Sequence, residues 1–315
     1  MGLDQTAKPY ALRGQAGFFI LFPFAQRAAF AALSIGSAVQ RRIFDQPFFH
    51  IEPMPSSPAT MTAQPGQAFG GARGQALIGL CLFALVLGSW LALHLWAVFF
   101  FKITAGSGWL VLPIFSVQCW LSVGMFIIAH DAMHGSLAPG QVRVNGAIGA
   151  FLLFIYAGFG WRKLRDAHFD HHLHAGTAAD PDFNADDPRQ FWPWYRLFLK
   201  RYFGWRSMAY VWTVVLGYFF VFNAPMENIV LLYGLPAIAS SIQLFYFGTY
   251  RPHRHENEAF VDRHRARSNR YGVFASLMSC FHFGYHHEHH LSPSVPWWGL
   301  PRQHAKWLKT RGAME

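Results

Sequence analysis

The sequence predicts an all-α membrane protein, and three observations predict it. Of the 315 residues 53% are hydrophobic and only 13% charged, a balance too apolar for an ordinary soluble enzyme. Residues 76–101 and 108–129 are mostly apolar runs, and each exceeds the roughly 20 residues needed to cross a bilayer. Lys and Arg crowd the segments that follow the apolar pairs and almost vanish from the turns inside them, the asymmetry expected of loops held on the cytoplasmic side.

The first 60 residues stand apart. The stretch 17–38 is apolar but broken by Pro23, Gln26 and Arg27, and 53–66 is a Pro/Ser/Thr-rich linker with little that could pack. Met61 lies just ahead of the first long run. We therefore expect a poorly structured extension over 1–60, not in the native protein if translation begins at Met61, followed by one membrane domain over 61–315.

Within that domain, 76–101 and 108–129 form a first transmembrane hairpin, and 208–222 with 228–250, joined by Asn223–Glu227, a second. The run 144–160 is shorter, rich in glycine and flanked by basic, histidine-bearing loops on both sides, so it is expected to lie in the interface. Arg143, Arg162, Lys163, Arg165, Arg189, Arg196, Lys200, Arg201 and Arg206 fall between the hairpins, and Arg251, Arg254, Arg263, Arg265, Arg267 and Arg270 follow the second. Four spans with both ends in the cytoplasm of a bacterial inner membrane satisfy this pattern.

The net charge of +10 raises the possibility of nucleic acid. No recognition-helix or RNP-type pattern accompanies it, and the basic residues flank apolar runs, so anionic lipid headgroups are the expected partner. Cys81, Cys119 and Cys280 sit in or beside apolar stretches at no metal or disulfide spacing and read as packing residues.

Chemistry is concentrated in the histidines. His130 and His134, then His168, His171 and His172, then His286, His289 and His290 recur at spacings of three and four, which share one helix face. The topology puts all three boxes at the cytoplasmic face. A zinc site saturates at about four ligands and usually recruits Cys or a carboxylate; these boxes offer roughly twice that number, nearly all imidazole. Two metals fit the supply, and imidazole suits iron as well as zinc and copper. The reading is a dinuclear non-haem iron centre, two Fe2+ handling O2, under a cytosolic cap.

Other histidines need separate arguments. His253 ends the last span, where it could add a ligand. His287 lies about 100° round the helix from His286 and points away, while His282, four before His286, either shares its face or hydrogen-bonds to the ligands. His50, His94 and His304 stand alone and read as packing. A ligating imidazole has its second N–H held by a carboxylate or carbonyl, and Asp131, Asp170, Asp180, Asp182 and Glu288 are placed for that work, with solvated loop acids as the rival reading. Trp297, Trp298 and the many Phe either line an apolar pocket or form an interfacial belt.

The motifs His130–Gly135 (HDAMHG), Ala179–Phe183 (ADPDF), Phe247–His253 (FGTYRPH) and Phe281–His290 (FHFGYHHEHH), the last followed by Pro296-Trp-Trp, resemble those of the bacterial β-carotene ketolases, within the membrane fatty-acid desaturase/hydroxylase superfamily. The resemblance covers about 75–310. It implies a helical membrane fold with a cytosolic diiron cap. The implied activity is O2-dependent conversion of the C4 methylene of a β-ionone ring to a ketone, with a carotenoid drawn from the bilayer as substrate. The family pattern has histidine at the position of His253, which implies a ninth ligand. It often has Trp at the position of His287, which leaves that residue out, and it varies around Asp170, which loses its claim. The candidate partners that remain, from their places beside the boxes, are Asp131, Asp180, Asp182, His282 and Glu288.

No flavin or nicotinamide fingerprint and no cysteine cluster for iron–sulfur is present, so electrons are expected from a separate carrier such as ferredoxin. A fatty-acid desaturase or an alkane or carotenoid hydroxylase shares the metal chemistry and differs in the pocket. A histidine-rich metal transporter needs ionisable groups inside its spans, and only His94 meets that description.

Overall fold

The structure is a computed structural model that describes residues 70–312, all within the compact unit Ala59–Glu315. The extension over 1–60 and its Met61 boundary lie outside the described residues, as does His50. Every regular element among the described residues is helical.

Helix α1, Gly71–Leu95, continues through a π turn, Trp96–Phe100, as one rod of 30 residues. Helix α2, Val111–His134, begins with the short turn Gly108–Leu110, and the two together make a second rod of 27 residues. It stops at Gly135, whose φ of +71° closes the last turn in the left-handed conformation that glycine adopts without cost. Helices α3 (Val142–Ala157) and α4 (Trp161–His174) meet at an angle of 102°. Gly158 makes that corner with φ +66°. Any side chain there would also press on Tyr210, whose Cβ would lie 2.8 Å from an added β-carbon.

Helix α5 (Phe191–Tyr202) and helix α6 (Trp205–Leu216, extended by the π turn Gly217–Val221) follow. Helix α7 runs from Met226 to His253 as a 28-residue rod with π turns at Ile229–Gly234 and Tyr246–Tyr250. Three short helices end the chain: α8 (Val273–Cys280), α9 (His286–Leu291) and α10 (Leu300–Gly312).

Helix α2 is central and packs on α1, α3 and α7. Its Val123, Met125, Ile127, Ile128 and Ala129 form the core with Leu152 and Leu153 of α3 and with Phe281 and Phe283. Hydrogen bonds clamp both ends of the bundle. At one end the Asn228 amide donates to the carbonyls of Ala97 (3.0 Å) and Phe101 (2.7 Å), tying the two inter-helix turns together. At the other, the Gln75 amide donates to the Ser136 carbonyl at 2.7 Å, just beyond His134. The histidine-bearing ends of α2 and α7 therefore share one end of the bundle.

The predicted spans are met unevenly. Among the described residues three helices, Gly71–Phe100, Gly108–His134 and Met226–His253, are long and apolar enough to cross a membrane, and a fourth only if the bent α3–α4 pair counts as one span. The predicted span 208–222 falls on α6, whose 12 residues and five-residue π turn reach about 25 Å, short of a hydrocarbon core of about 30 Å. The run predicted to lie in the interface is α3, which turns sharply into α4. Of the cysteines, Cys119 and Cys280 are buried as expected, but Cys81 is exposed on α1.

Candidate metal centre

Nine histidines converge from four elements. His130, His134, His168, His172 and His289 form one group, and His171, His253, His286 and His290 a second; within each group one nitrogen per residue lies within 4.8 Å of all the others. Helix periodicity explains the division. On α4, His168 and His172 are one turn apart and serve the first group, while His171 lies between them in sequence and serves the second. On α9, His286 and His290 face the second group and His289 the first. Each of these two helices therefore reaches both groups, and α2 and α7 contribute to one each.

The donor set suits two metal ions. In the first group Nε2 of His168 lies 2.7 Å from Nε2 of His134 and 3.1 Å from that of His172, which is 3.0 Å from Nε2 of His289. In the second, Nε2 of His286 lies 3.0 Å from that of His253 and 3.1 Å from that of His290. Two imidazole nitrogens each about 2.1 Å from one ion and at right angles are about 3.0 Å apart. Nε2 of His130 is buried without a hydrogen-bond partner, and an unpaired buried nitrogen is costly unless something accepts its lone pair. Burial, reinforced by the neighbouring imidazoles, pushes His286, His289 and His290 well below the ordinary histidine value, so all three keep the neutral form a metal needs.

The predicted partners of these imidazoles divide sharply. Asp180 lies with both carboxylate oxygens 3.0 Å from Nδ1 of His171 and also accepts from the N–H groups of Gly176 and Asp182, each at 2.8 Å. Burial alone would raise its pKa, but the His171 imidazole and these backbone donors outweigh burial and hold the carboxyl below its usual range. Nδ1 of His253 donates to the Arg265 carbonyl at 2.8 Å. Asp131 stands 3.7 Å from Nδ1 of His130, too far for a hydrogen bond, and accepts instead from the Trp297 N–H at 3.0 Å.

Asp182 makes its side-chain hydrogen bond with the Tyr202 hydroxyl and reaches no imidazole nitrogen. Glu288, fully buried, accepts from the Ser268 hydroxyl and from Nδ1 of His304 at 2.7 Å. His282 belongs to neither group; it stacks on Tyr285 and Trp297. The reason is local. Phe281 and His282 both take positive φ, 46° and 63°, so the helical spacing that would aim His282 at the site is broken before α9 begins.

His287 lies outside both groups, with Nε2 2.8 Å from Asp262. His94 stacks on Trp90 and lies 2.9 Å from the Tyr218 hydroxyl. Asp170 is exposed. Ser268, His304, Arg265 and Tyr202 carried no sequence signal, because each meets its partner across a loop or helix rather than at a periodic spacing.

Both groups open on one cavity of about 910 Å³, non-atom space at its mouth included, into which His130, His168, His171 and His286 project. Its walls are mainly apolar: Phe126, Ile127 and Met133 of α2, Phe159, Leu164, Phe198 and Leu199, Leu244, and Phe283. Trp297 and Trp298 do not line it; Trp297 packs edge-on against Phe281.

A membrane-type helical bundle with two histidine groups at one end and an apolar cavity beneath them matches a known class. The chain belongs to the fatty acid desaturase family, whose model matches residues 107–214 and 186–313. Within that class it is similar to the β-carotene ketolases. A "Beta-carotene ketolase" of one Paracoccus strain is 49% identical over 222 residues, 70% of this chain and 90% of that protein. Another, of Paracoccus strain PC1, is 46% identical over 238 residues, 74% of this chain and 94% of that protein. A "Zeaxanthin 4-ketolase" of Chlamydomonas reinhardtii is 31% identical over 237 residues, 71% of this chain and 52% of that protein. No solved structure matches.

Proposed function

We propose that the chain is a β-carotene 4-ketolase, which oxidises the C4 methylene of β-ionone rings to a ketone and so converts β-carotene to echinenone and canthaxanthin. On a hydroxylated ring the same reaction turns zeaxanthin into astaxanthin. The observation that carries the proposal is the shared cavity: both histidine groups project into one apolar pocket, in a chain nearly half identical to β-carotene ketolases.

The nine histidines hold two iron ions, His130, His134, His168, His172 and His289 on one and His171, His253, His286 and His290 on the other. When bound, the irons supply the O2 activation that removal of hydrogen from an allylic C–H demands. The protein's own groups do the rest. Asp180 and the Arg265 carbonyl fix the tautomer and direction of His171 and His253, which keeps Nε2 of each free for the metal. The aromatic and aliphatic walls take up the ring and exclude water.

Each hydroxylation consumes one O2, two electrons and two protons, and releases one water as C4–H becomes C4–OH; a second at the same carbon gives a geminal diol that loses water to the ketone. The electrons come from a separate carrier of the ferredoxin class. In a bacterial inner membrane we take α6 as the fourth crossing beside α1, α2 and α7, with the bilayer thinning locally to meet its length of about 25 Å. Its exposed Met208, Trp212 and Phe220 suit lipid contact, and the basic segments that flank the histidine end support a site on the cytoplasmic side.

Expression of the chain in a β-carotene-accumulating bacterium, followed by pigment chromatography, tests the proposal. Echinenone and canthaxanthin are expected. Unchanged β-carotene in cells that contain iron-loaded protein would refute it, and altered fatty acids or alkanes would favour a desaturase or hydroxylase.

A further inference from the structure

The cavity holds one acid–phenol pair whose capacity the fold does not use up. Its polar lining, apart from the histidines, comprises Tyr156, Asp182, Tyr202, Ser241 and Thr249. Tyr156 is hydrogen-bonded to the Ser240 hydroxyl at 2.8 Å, and Ser241 to the Tyr195 hydroxyl at 2.6 Å and the Ile238 carbonyl at 2.8 Å. The Tyr202 hydroxyl donates to Oδ1 of Asp182. That bond uses the single phenolic proton and leaves lone pairs on the phenol oxygen, while Oδ2 of Asp182 accepts no hydrogen bond among the described residues. A pair with only acceptor sites left on offer, in a wall shared with His130, His168, His171 and His286, is matched to a substrate O–H.

An apolar ring has no use for such a pair, and exposing a carboxylate to it carries a desolvation cost. β-Carotene contains no oxygen; the C4 alcohol formed by the first hydroxylation does. We propose that Tyr202 and Asp182 are positioning residues for the second oxidation: they accept the O–H of the C4 alcohol and so hold the half-oxidised ring with its remaining C4–H toward the histidine groups. This rests on the ketolase reading. No further oxidant or electron donor is required, because the second hydroxylation repeats the balance of the first. The pair is also anchored to the metal site, since the Asp182 N–H donates to Asp180 at 2.8 Å and Asp180 holds His171.

The test uses the full chain as wild type, Tyr202→Phe and Asp182→Asn, expressed in the β-carotene-accumulating bacterium, with C4 alcohols and C4 ketones separated by chromatography. Loss of one hydrogen bond that holds the intermediate is expected to raise the alcohol-to-ketone ratio about tenfold in Tyr202→Phe. In membranes supplied with each substrate, KM for the C4 alcohol is expected to rise by a similar factor relative to KM for β-carotene. β-Carotene has no O–H, so a merely structural role for the pair would move both values together or neither. An unchanged ratio, at any total activity, would overturn the proposal, as would parallel changes in the two KM values. If Asp182→Asn fails to accumulate, Tyr202→Phe alone decides, since it keeps the ring and removes only the hydroxyl. A wild-type chain that forms no ketone would instead refute the ketolase reading itself.

Discussion

Asp180 grips His171 through both carboxylate oxygens, each 3.0 Å from Nδ1. The aspartate is buried and fixed in turn by the N–H groups of Gly176 and Asp182, so it sets the direction in which Nε2 of His171 points. Asp180→Asn is expected to lower metal affinity or turnover about 10- to 100-fold, read as iron retained against a graded chelator series. Asp170→Asn, at an exposed position one residue from His171, is expected to change neither.

The third box separates histidines that join the two groups from one that does not. His286→Ala and His289→Ala each remove a nitrogen from a different group and are expected to abolish ketone formation. The His287 ring meets Asp262 instead, and its backbone N–H donates to the Ser268 hydroxyl. Its replacement by alanine is expected to cost about 1 kcal/mol of stability through lost hydrogen bonding and to leave iron content intact. Equal loss of iron from all three variants would contradict the facing directions described above.

Gly124 lets the third box approach the first. A β-carbon there would lie 2.9 Å from Cε1 and Cε2 of the Phe281 ring, and the backbone at Phe281 is already in the left-handed region. Gly124→Ala must therefore push Phe281, and with it the segment leading to His286, away from α2. Overpacking of this kind typically costs about 1–3 kcal/mol. The expected outcome is a lower melting temperature together with reduced iron content, although no ligand has been touched.

What the sequence disclosed and what it hid follow from the same physics. His130 with His134 and His168 with His172 are legible because a helix repeats its faces every three to four residues, and the long apolar runs around them announce α1, α2 and α7. His171 could be named beforehand, but its membership of a different group from its neighbours could not, since that depends on how α4 crosses between α2 and α9. Linear proximity misled at Asp131, Asp182 and Glu288. Each is next to or near a box in sequence, yet Trp297, Tyr202, and Ser268 with His304 claim their carboxylates. His282 was misplaced because positive φ at two successive residues breaks the helical period on which its assignment relied. Helix α6 read as a span from composition alone, and its length shows it to be the shortest of the predicted crossings.

Whether nine histidines hold two irons is read from the iron content per chain of the purified active protein, measured alongside His134→Ala and His253→Ala. About two irons are expected in the wild type, with each variant losing the ion of its own group first. A fully active wild type with one iron or none, or a wild type whose iron is unaffected by either substitution, would contradict this expectation.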